Sequence, residues 1–198
     1  MQKSVFDTLA NRYDTPERQT LAGIISSHLK PHLVGTPVGK LLDYGAGTGL
    51  VSLPLANLTN FLLLVDASQE MLTLADHKIK QLGLGQTQTL VADFTKTSPN
   101  VHADVILVSL VLLHIPETEN ILQAFYDCLN PGGRLMIVDF DNNPNVSHPL
   151  IHSGFNQEVL QQQLKNVGFQ QINSATFHQG TALFMKQDAS LFLATAYK

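Results

Sequence analysis

The sequence predicts an α/β protein built on a doubly wound, mostly parallel sheet with helices on both faces and an antiparallel last strand. Three observations predict it. Strand-like apolar segments alternate with helix-like segments from residue 38 onward. The run Phe61-Leu62-Leu63-Leu64-Val65 is apolar without a break, the pattern of a strand buried on both faces. No clear helix separates the last two strand-like segments, 170–177 and 191–197, so they are expected to form a hairpin that reverses the sheet's direction.

Each element has its own signal. Residues 1–37 look helical and precede the first strand, 38–44. A helix is expected over 50–58, then the strand 61–65. Ser68 supplies an N-cap for a helix running to about Gln81, and Gly83 and Gly85 break it. Strands follow at 87–92 and 103–109. Pro116 and Glu117 open a helix to about Leu129, and Asn130-Pro131-Gly132-Gly133 is a strong turn. A fifth strand, 134–140, leads to a helix over 156–167 closed by Gly168.

Composition narrows the function classes. The chain has 198 residues, of which 44% are hydrophobic and 14% charged, which suits one globular domain. Its formal net charge is -4 and Lys and Arg form no cluster, so nucleic acid is not an expected partner. The lone Cys128 excludes an intramolecular disulfide and reads as a small buried hydrophobe. The first residues, Met1-Gln2-Lys3-Ser4-Val5, lead into no apolar signal core, and no segment approaches the ~20 apolar residues that cross a bilayer. A cytoplasmic protein without membrane insertion is the expectation; the oligomeric state is left open.

Ligands of open parallel sheets bind beyond the carboxyl ends of the strands, and the chemistry-bearing residues fall there. Asp43-Tyr44-Gly45-Ala46-Gly47-Thr48-Gly49 follows the first strand. Glycines permit a tight turn and close approach of a ligand to the backbone. The helix expected next would offer free N–H groups to an anionic group. A dinucleotide fingerprint needs G-x-G-x-x-G, but Leu50 occupies the third glycine position. The spacing is G-x-G-x-G, which favours a nucleoside ligand without a bridging pyrophosphate. Asp66 ends the second strand 21 positions after Gly45, where a carboxylate can accept from vicinal ribose hydroxyls or cap the next helix.

The segment 41–49 resembles the first motif of class I S-adenosylmethionine-dependent methyltransferases of the small-molecule type. Four more segments resemble that family in its order: Val65-Asp66-Ala67-Ser68, Val91-Ala92-Asp93-Phe94, the stretch 108–116, and the L-x-P-G-G-x-L turn at 129–135. The resemblance covers about residues 38–140. It implies a Rossmann-like, seven-stranded fold, S-adenosyl-L-methionine as cofactor and methyl transfer to a small-molecule acceptor. A single domain is expected over 1–198, with 1–37 a helical cap, 38–140 the cofactor-binding core, and 141–198 the acceptor-side insertion and closing strands.

The resemblance also assigns roles. Gly45, Ala46, Gly47, Asp66 and Ala67 would hold the nucleoside. The Asp93 carboxylate would accept from the adenine amine, and Phe94 would offer its backbone N–H. Asp43 would fix the turn and face the cationic methionine end, and the backbone of Ser109 and Leu110 would receive the ammonium group. Met71 either packs on adenine or is plain core. Tyr13 lies in Phe6-Asp7-Thr8-Leu9-Ala10-Asn11-Arg12-Tyr13-Asp14, similar to an F-D-x-x-A-x-x-Y-D segment whose tyrosine closes over the methionine end.

The acceptor side is less determined. Family members often carry two adjacent histidines after the fourth strand, and this chain has Leu113-His114. His114 is the general-base candidate, with an ordinary pKa near 6.5, or else a structural histidine. His148, His152 and Phe155 lie where the family often holds its acceptor. The two histidines are four apart, but Pro149 and Gly154 argue against a helix there and no third ligand is evident, so no metal is expected. Two other readings remain open: a non-catalytic S-adenosylmethionine-binding module and a nicotinamide-dependent oxidoreductase.

Overall fold

The computed structural model of the chain describes residues 12–35, 38–97 and 100–198. Residues 6–11 of the F-D-x-x-A-x-x-Y-D segment lie outside them. Among the described residues the first helix, α1, spans Pro16–Leu33. The Thr15 side chain caps it by accepting from the Arg18 N–H, and Pro16 opens it, where the missing N–H costs nothing.

The strands are β1 (Val38–Tyr44), β2 (Thr59–Asp66), β3 (Thr87–Val91), β4 (Ala103–Ser109), β5 (Leu129–Phe140), β6 (Gln170–Phe184) and β7 (Gln187–Tyr197). Their hydrogen-bonded order is β3-β2-β1-β4-β5-β7-β6, a seven-stranded doubly wound sheet. The remaining α-helices among the described residues are α2 (Gln69–Leu82), α3 (Thr118–Cys128) and α4 (Gln157–Val167). The chain divides into two compact units, residues 1–93 and 94–198.

In the first unit β1, β2 and β3 run parallel, with Leu42 opposite Leu63 and Leu63 opposite Gln88. Leu62, Leu63, Leu64 and Val65 are buried, as the unbroken apolar run predicts, while Phe61 at its start is half-buried; Leu41 and Leu42 of β1 are buried as well. Ser68 caps α2 by accepting from the Met71 N–H, and Gly83 ends it in a left-handed conformation at φ 66°. The helix expected at 50–58 is instead a turn followed by a 3₁₀ helix, Leu53–Leu58. Pro54 at its start provides no donor, and six residues are too few to propagate an α-helix.

In the second unit β4 and β5 are parallel, and β7 inserts antiparallel between β5 and β6. The Asn130-Pro131-Gly132-Gly133 turn falls inside β5 as an irregularity: Ala103 pairs with Leu129, but Val105 pairs with Arg134. α4 is capped by Asn156, which accepts from the Glu158 and Val159 N–H groups, and is closed by Gly168 at φ 116°. The β6–β7 hairpin is longer than the sequence suggested. It turns at Met185 and Lys186, both at positive φ. Cys128 is buried at the end of α3.

Candidate functional site

The first unit carries the residues read as holding the nucleoside. Gly45, Gly47 and Gly49 have φ of 70°, 56° and 77°, a left-handed series that side chains resist. The turn is tied back onto β2. The Gly45 and Ala46 N–H groups both donate to the Val65 carbonyl, at 2.8 and 3.0 Å. The Gly47 N–H donates to Asp66 Oδ2 at 2.8 Å, and the Gly49 N–H to the Ala46 carbonyl at 2.9 Å. These four donors are therefore satisfied within the protein. No α-helix follows to lend a dipole, so the expected anion-binding helix N-terminus is not built. The turn instead allows close backbone approach beside carboxylates. That chemistry suits hydroxyl, amine or cationic groups better than a pyrophosphate.

Asp66 serves both readings left open by the sequence. Its Oδ2 holds Gly47 and its Oδ1 accepts from the Ser68 N–H at 2.8 Å. A carboxylate has about four acceptor sites, so lone pairs remain for ribose hydroxyls. Asp43 is 2% exposed. Burial pushes its carboxyl up to about 7, the Ser52 hydroxyl opposes the shift, and the nearby Asp66 charge adds to it. Ala67 is exposed, and Asp93 is half-buried two residues beyond β3. Met71 is 1% exposed, a core position of α2.

Tyr13 lies at the turn. A Cβ placed on Gly47 would be 3.8 Å from Tyr13 Cε1, an ordinary packing distance. The Arg18 guanidinium stands over the Tyr13 ring at 4.2 Å from its centroid. Burial raises the Tyr13 hydroxyl pKa; Arg18 opposes this, and Asp66 and Asp14 reinforce it.

The second unit carries the remaining candidates. The Ser109 hydroxyl at the end of β4 is buried with no hydrogen-bond partner among the described residues. An orphaned buried hydroxyl is costly unless a ligand satisfies it, which fits this strand end to a polar ligand group. Leu110 follows at φ 56°, strained for a residue with a side chain, and its N–H is held by the Val138 carbonyl at 2.8 Å. A short 3₁₀ turn, Leu112–His114, presents His114. Burial, aided by the neighbouring His148, pushes the His114 pKa below its ordinary value. The imidazole is therefore neutral at physiological pH, the form a base requires. Phe94 is buried, its ring 6.4 Å from that of Phe125.

His148 and His152 are not paired on a helix. The exposed His148 accepts from the Leu150 N–H through Nδ1 at 3.2 Å. His152 Nε2 is 2.8 Å from the Ile115 carbonyl, so that nitrogen carries the proton and donates. The His152 ring lies 5.2 Å from that of Phe155, and the His152 backbone N–H donates to the Leu113 carbonyl at 2.9 Å. Among the described residues, no three His, Cys, Asp or Glu side chains converge to hold a metal. The loop 141–155 is closed at its neck: Phe155 N–H donates to Phe140 O, Asn142 N–H to Phe155 O and Asn143 N–H to Ser153 O, at 2.8, 3.0 and 2.7 Å.

Two features escaped the sequence reading. Asp139 is fully buried in β5, accepting from the Leu113 N–H at 3.1 Å and the Phe140 N–H at 2.8 Å. Burial pushes it up to about 7 against those donors. It pins the turn that carries His114. A charged residue inside the apolar run Met136-Ile137-Val138-Asp139-Phe140 was the signal available. The other is a cluster of Asp14, Thr48 and Lys78.

A doubly wound sheet with a glycine turn and acidic strand ends defines a Rossmann-like protein built for a nucleoside ligand. Residues 37–188 match the model of the methyltransferase domain family. The chain belongs to that family, whose methyl donor is S-adenosyl-L-methionine. The ubiquinone/menaquinone biosynthesis C-methyltransferase UbiE of Pseudomonas savastanoi is 28% identical over 149 residues, covering 71% of this chain. That match spans 58% of the relative's own length. The N-methyltransferase NodS of Bradyrhizobium japonicum, solved with S-adenosyl-L-homocysteine, superimposes with a TM-score of 0.71 at 18% identity, covering 94% of this chain and 89% of that one. Phosphoethanolamine N-methyltransferase 2 of Haemonchus contortus, solved with S-adenosylhomocysteine, gives a TM-score of 0.74 at 15% identity, covering 99% of this chain and 60% of that one. At these identities the two structures establish the fold. Among the described residues, no helix is long and apolar enough to cross a membrane.

Proposed function

We propose that this chain transfers the methyl group of S-adenosyl-L-methionine to a small-molecule acceptor, with residues 1–198 acting as one catalytic domain. The observation that carries the reading is the 45–49 turn, whose N–H groups at 45, 46, 47 and 49 are already bonded and which Asp66 braces. Bound S-adenosyl-L-methionine supplies an electrophilic methyl group on a sulfonium. Asp66, with Ala67 beside it, holds the ribose hydroxyls. Asp93 and the Phe94 backbone hold the adenine. Asp43 and Tyr13 hold the methionine end, as do Ser109 and the Leu110 backbone. His114, kept neutral by its surroundings, takes a proton from an acceptor O–H, N–H or C–H, and His148, His152 and Phe155 contact the acceptor. The curated relatives carry C-methyltransferase names from quinone biosynthesis, so phenols and quinols belong in the first acceptor panel.

Calorimetric titration tests the cofactor: S-adenosylhomocysteine binds and NAD does not, and the reverse overturns the reading. Methyl transfer measured across an acceptor panel tests the rest. His114→Ala lowers turnover and leaves S-adenosylhomocysteine affinity nearly intact, and the acid limb of the wild-type rate profile falls below pH 6.5, the ordinary histidine value. Unaffected turnover makes His114 structural.

A further inference from the structure

Residues 12–15, just before α1, belong to no strand, yet Tyr13 rests on the glycine turn. Three polar contacts within the first unit account for its position. Asp14 Oδ1 accepts from the Thr48 hydroxyl at 2.5 Å. Asp14 Oδ2 pairs with Lys78 Nζ at 2.6 Å. Lys78 Nζ in turn donates to the Thr48 carbonyl at 2.9 Å. One carboxylate thus joins the entry to α1, the turn and α2. Thr48 is 1% exposed, while the Asp14 and Lys78 side chains are 29% and 27% exposed, so the triangle is only partly screened by water. Tyr13 is then fixed from behind: its carbonyl accepts from the Thr15 N–H at 2.9 Å and from Arg18 Nη1 at 3.0 Å, and Gln19 Nε2 donates to the Asp14 carbonyl at 2.9 Å.

We propose that Asp14, Thr48 and Lys78 are positioning residues: a latch that holds Tyr13 over the glycine turn and slows escape of the ligand seated there. The proposal rests on the reading of that turn as the cofactor's seat. A packing ring held by neutral contacts alone would not couple to charge. This one does, because both oxygens of Asp14 are engaged and one partner is an ammonium. None of the three residues is placed against the ligand itself; they act through Tyr13 and the backbone of the turn.

The test is the dissociation rate of S-adenosylhomocysteine from the full chain, with backbone hydrogen exchange of the ligand-free protein beside it. Asp14→Asn and Thr48→Val release the ligand about tenfold faster, the scale of one lost charge-assisted hydrogen bond. Thr48→Ser, which keeps the hydroxyl, behaves as wild type. Asp14→Asn combined with Lys78→Met costs less than the sum of the two single changes, because the residues share their ion pair while Lys78 also holds the Thr48 carbonyl. Without ligand, the Thr15, Arg18 and Gln19 amides exchange faster in Asp14→Asn while those of β1 and β2 are unchanged, which separates an open latch from a damaged fold. Wild-type release accelerates with salt and that of Asp14→Asn does not. Wild-type rates in both Asp14→Asn and Thr48→Val, or additive effects of Asp14 and Lys78, overturn the latch. Failure of the wild-type chain to bind S-adenosylhomocysteine overturns the cofactor reading instead, and the hydrogen-exchange comparison still decides whether the latch exists.

Discussion

Replacing Asp66 by Ala removes two contacts whose worth follows from the geometry. Its two oxygens accept from the Gly47 and Ser68 N–H groups, both at 2.8 Å. A hydrogen bond to a charged acceptor contributes about 1.5–3 kcal/mol net. Asp66 is only half-buried, so water replaces part of what is lost and each bond sits near the bottom of that range. The variant is therefore expected to lose about 3 kcal/mol of stability, a large share of the ~5–15 kcal/mol typical of a folded chain. If the same carboxylate also holds ribose hydroxyls, affinity for S-adenosylhomocysteine falls by a further ~5–150-fold, the equivalent of about 1–3 kcal/mol. Asp66→Asn keeps one acceptor oxygen and is intermediate in both. The chain has no Trp, so urea unfolding is followed by circular dichroism, and binding by calorimetry. An Ala variant with the wild-type urea midpoint and an affinity within about twofold would refute the bracing role and the ribose contact together.

Gly49→Ala is expected to cost about 2–5 kcal/mol. A Cβ there lies 2.8 Å from Leu53 Cγ and Cδ1 and 2.9 Å from Leu64 Cδ2, at a left-handed φ of 77°. An unchanged urea midpoint contradicts the crowding. The buried carboxyls make stability depend on pH in an unusual direction. Asp43 and Asp139 are both pushed up to about 7, so between pH 4 and 7 the native state holds protons that the unfolded chain has released. Their contribution to stability therefore falls as pH rises through that window, by up to ~1.4 kcal/mol per pH unit for each group. His114, pushed down, acts oppositely: its protonation in the unfolded chain lowers stability as pH falls below about 6.5. The difference between wild type and Asp139→Asn isolates one carboxyl, and it should shift against wild type from pH 4 to 7. A difference that is flat with pH shows Asp139 titrating normally.

Much of the fold was legible because its strands are short apolar runs bounded by capping residues. β4 lies over Ala103–Ser109, where the apolar segment ends at a serine, and Ser68, Gly83, Asn156 and Gly168 cap α2 and α4 as their chemistry dictates. The 50–58 helix failed because Leu-Pro-Leu-Ala-Asn-Leu is apolar without helical support. The outer part of β6 was missed because His178-Gln179-Gly180-Thr181-Ala182 is largely exposed and pairs irregularly, with no alternating pattern to read. The acidic strand ends were readable because their meaning is local. The Asp14–Thr48–Lys78 triangle was not, since its members stand 34 and 30 positions apart and leave no spacing to notice.

The closed neck of the 141–155 loop has a consequence for how such a protein can diversify. Gly154 is wedged so tightly that an added Cβ would lie 2.7 Å from the Asp141 carbonyl carbon and 2.9 Å from the Phe140 oxygen, so that position admits almost no substitution. At the tip residues 147–150, Leu150 among them, are exposed; His152 is already tied to the Leu113 and Ile115 carbonyls. Because closing a longer loop costs only about 0.6 kcal/mol per doubling of length, the tip is an interchangeable cassette. Its length and side chains can drift while the sheet beneath stays the same, because change is best tolerated at an exposed loop tip.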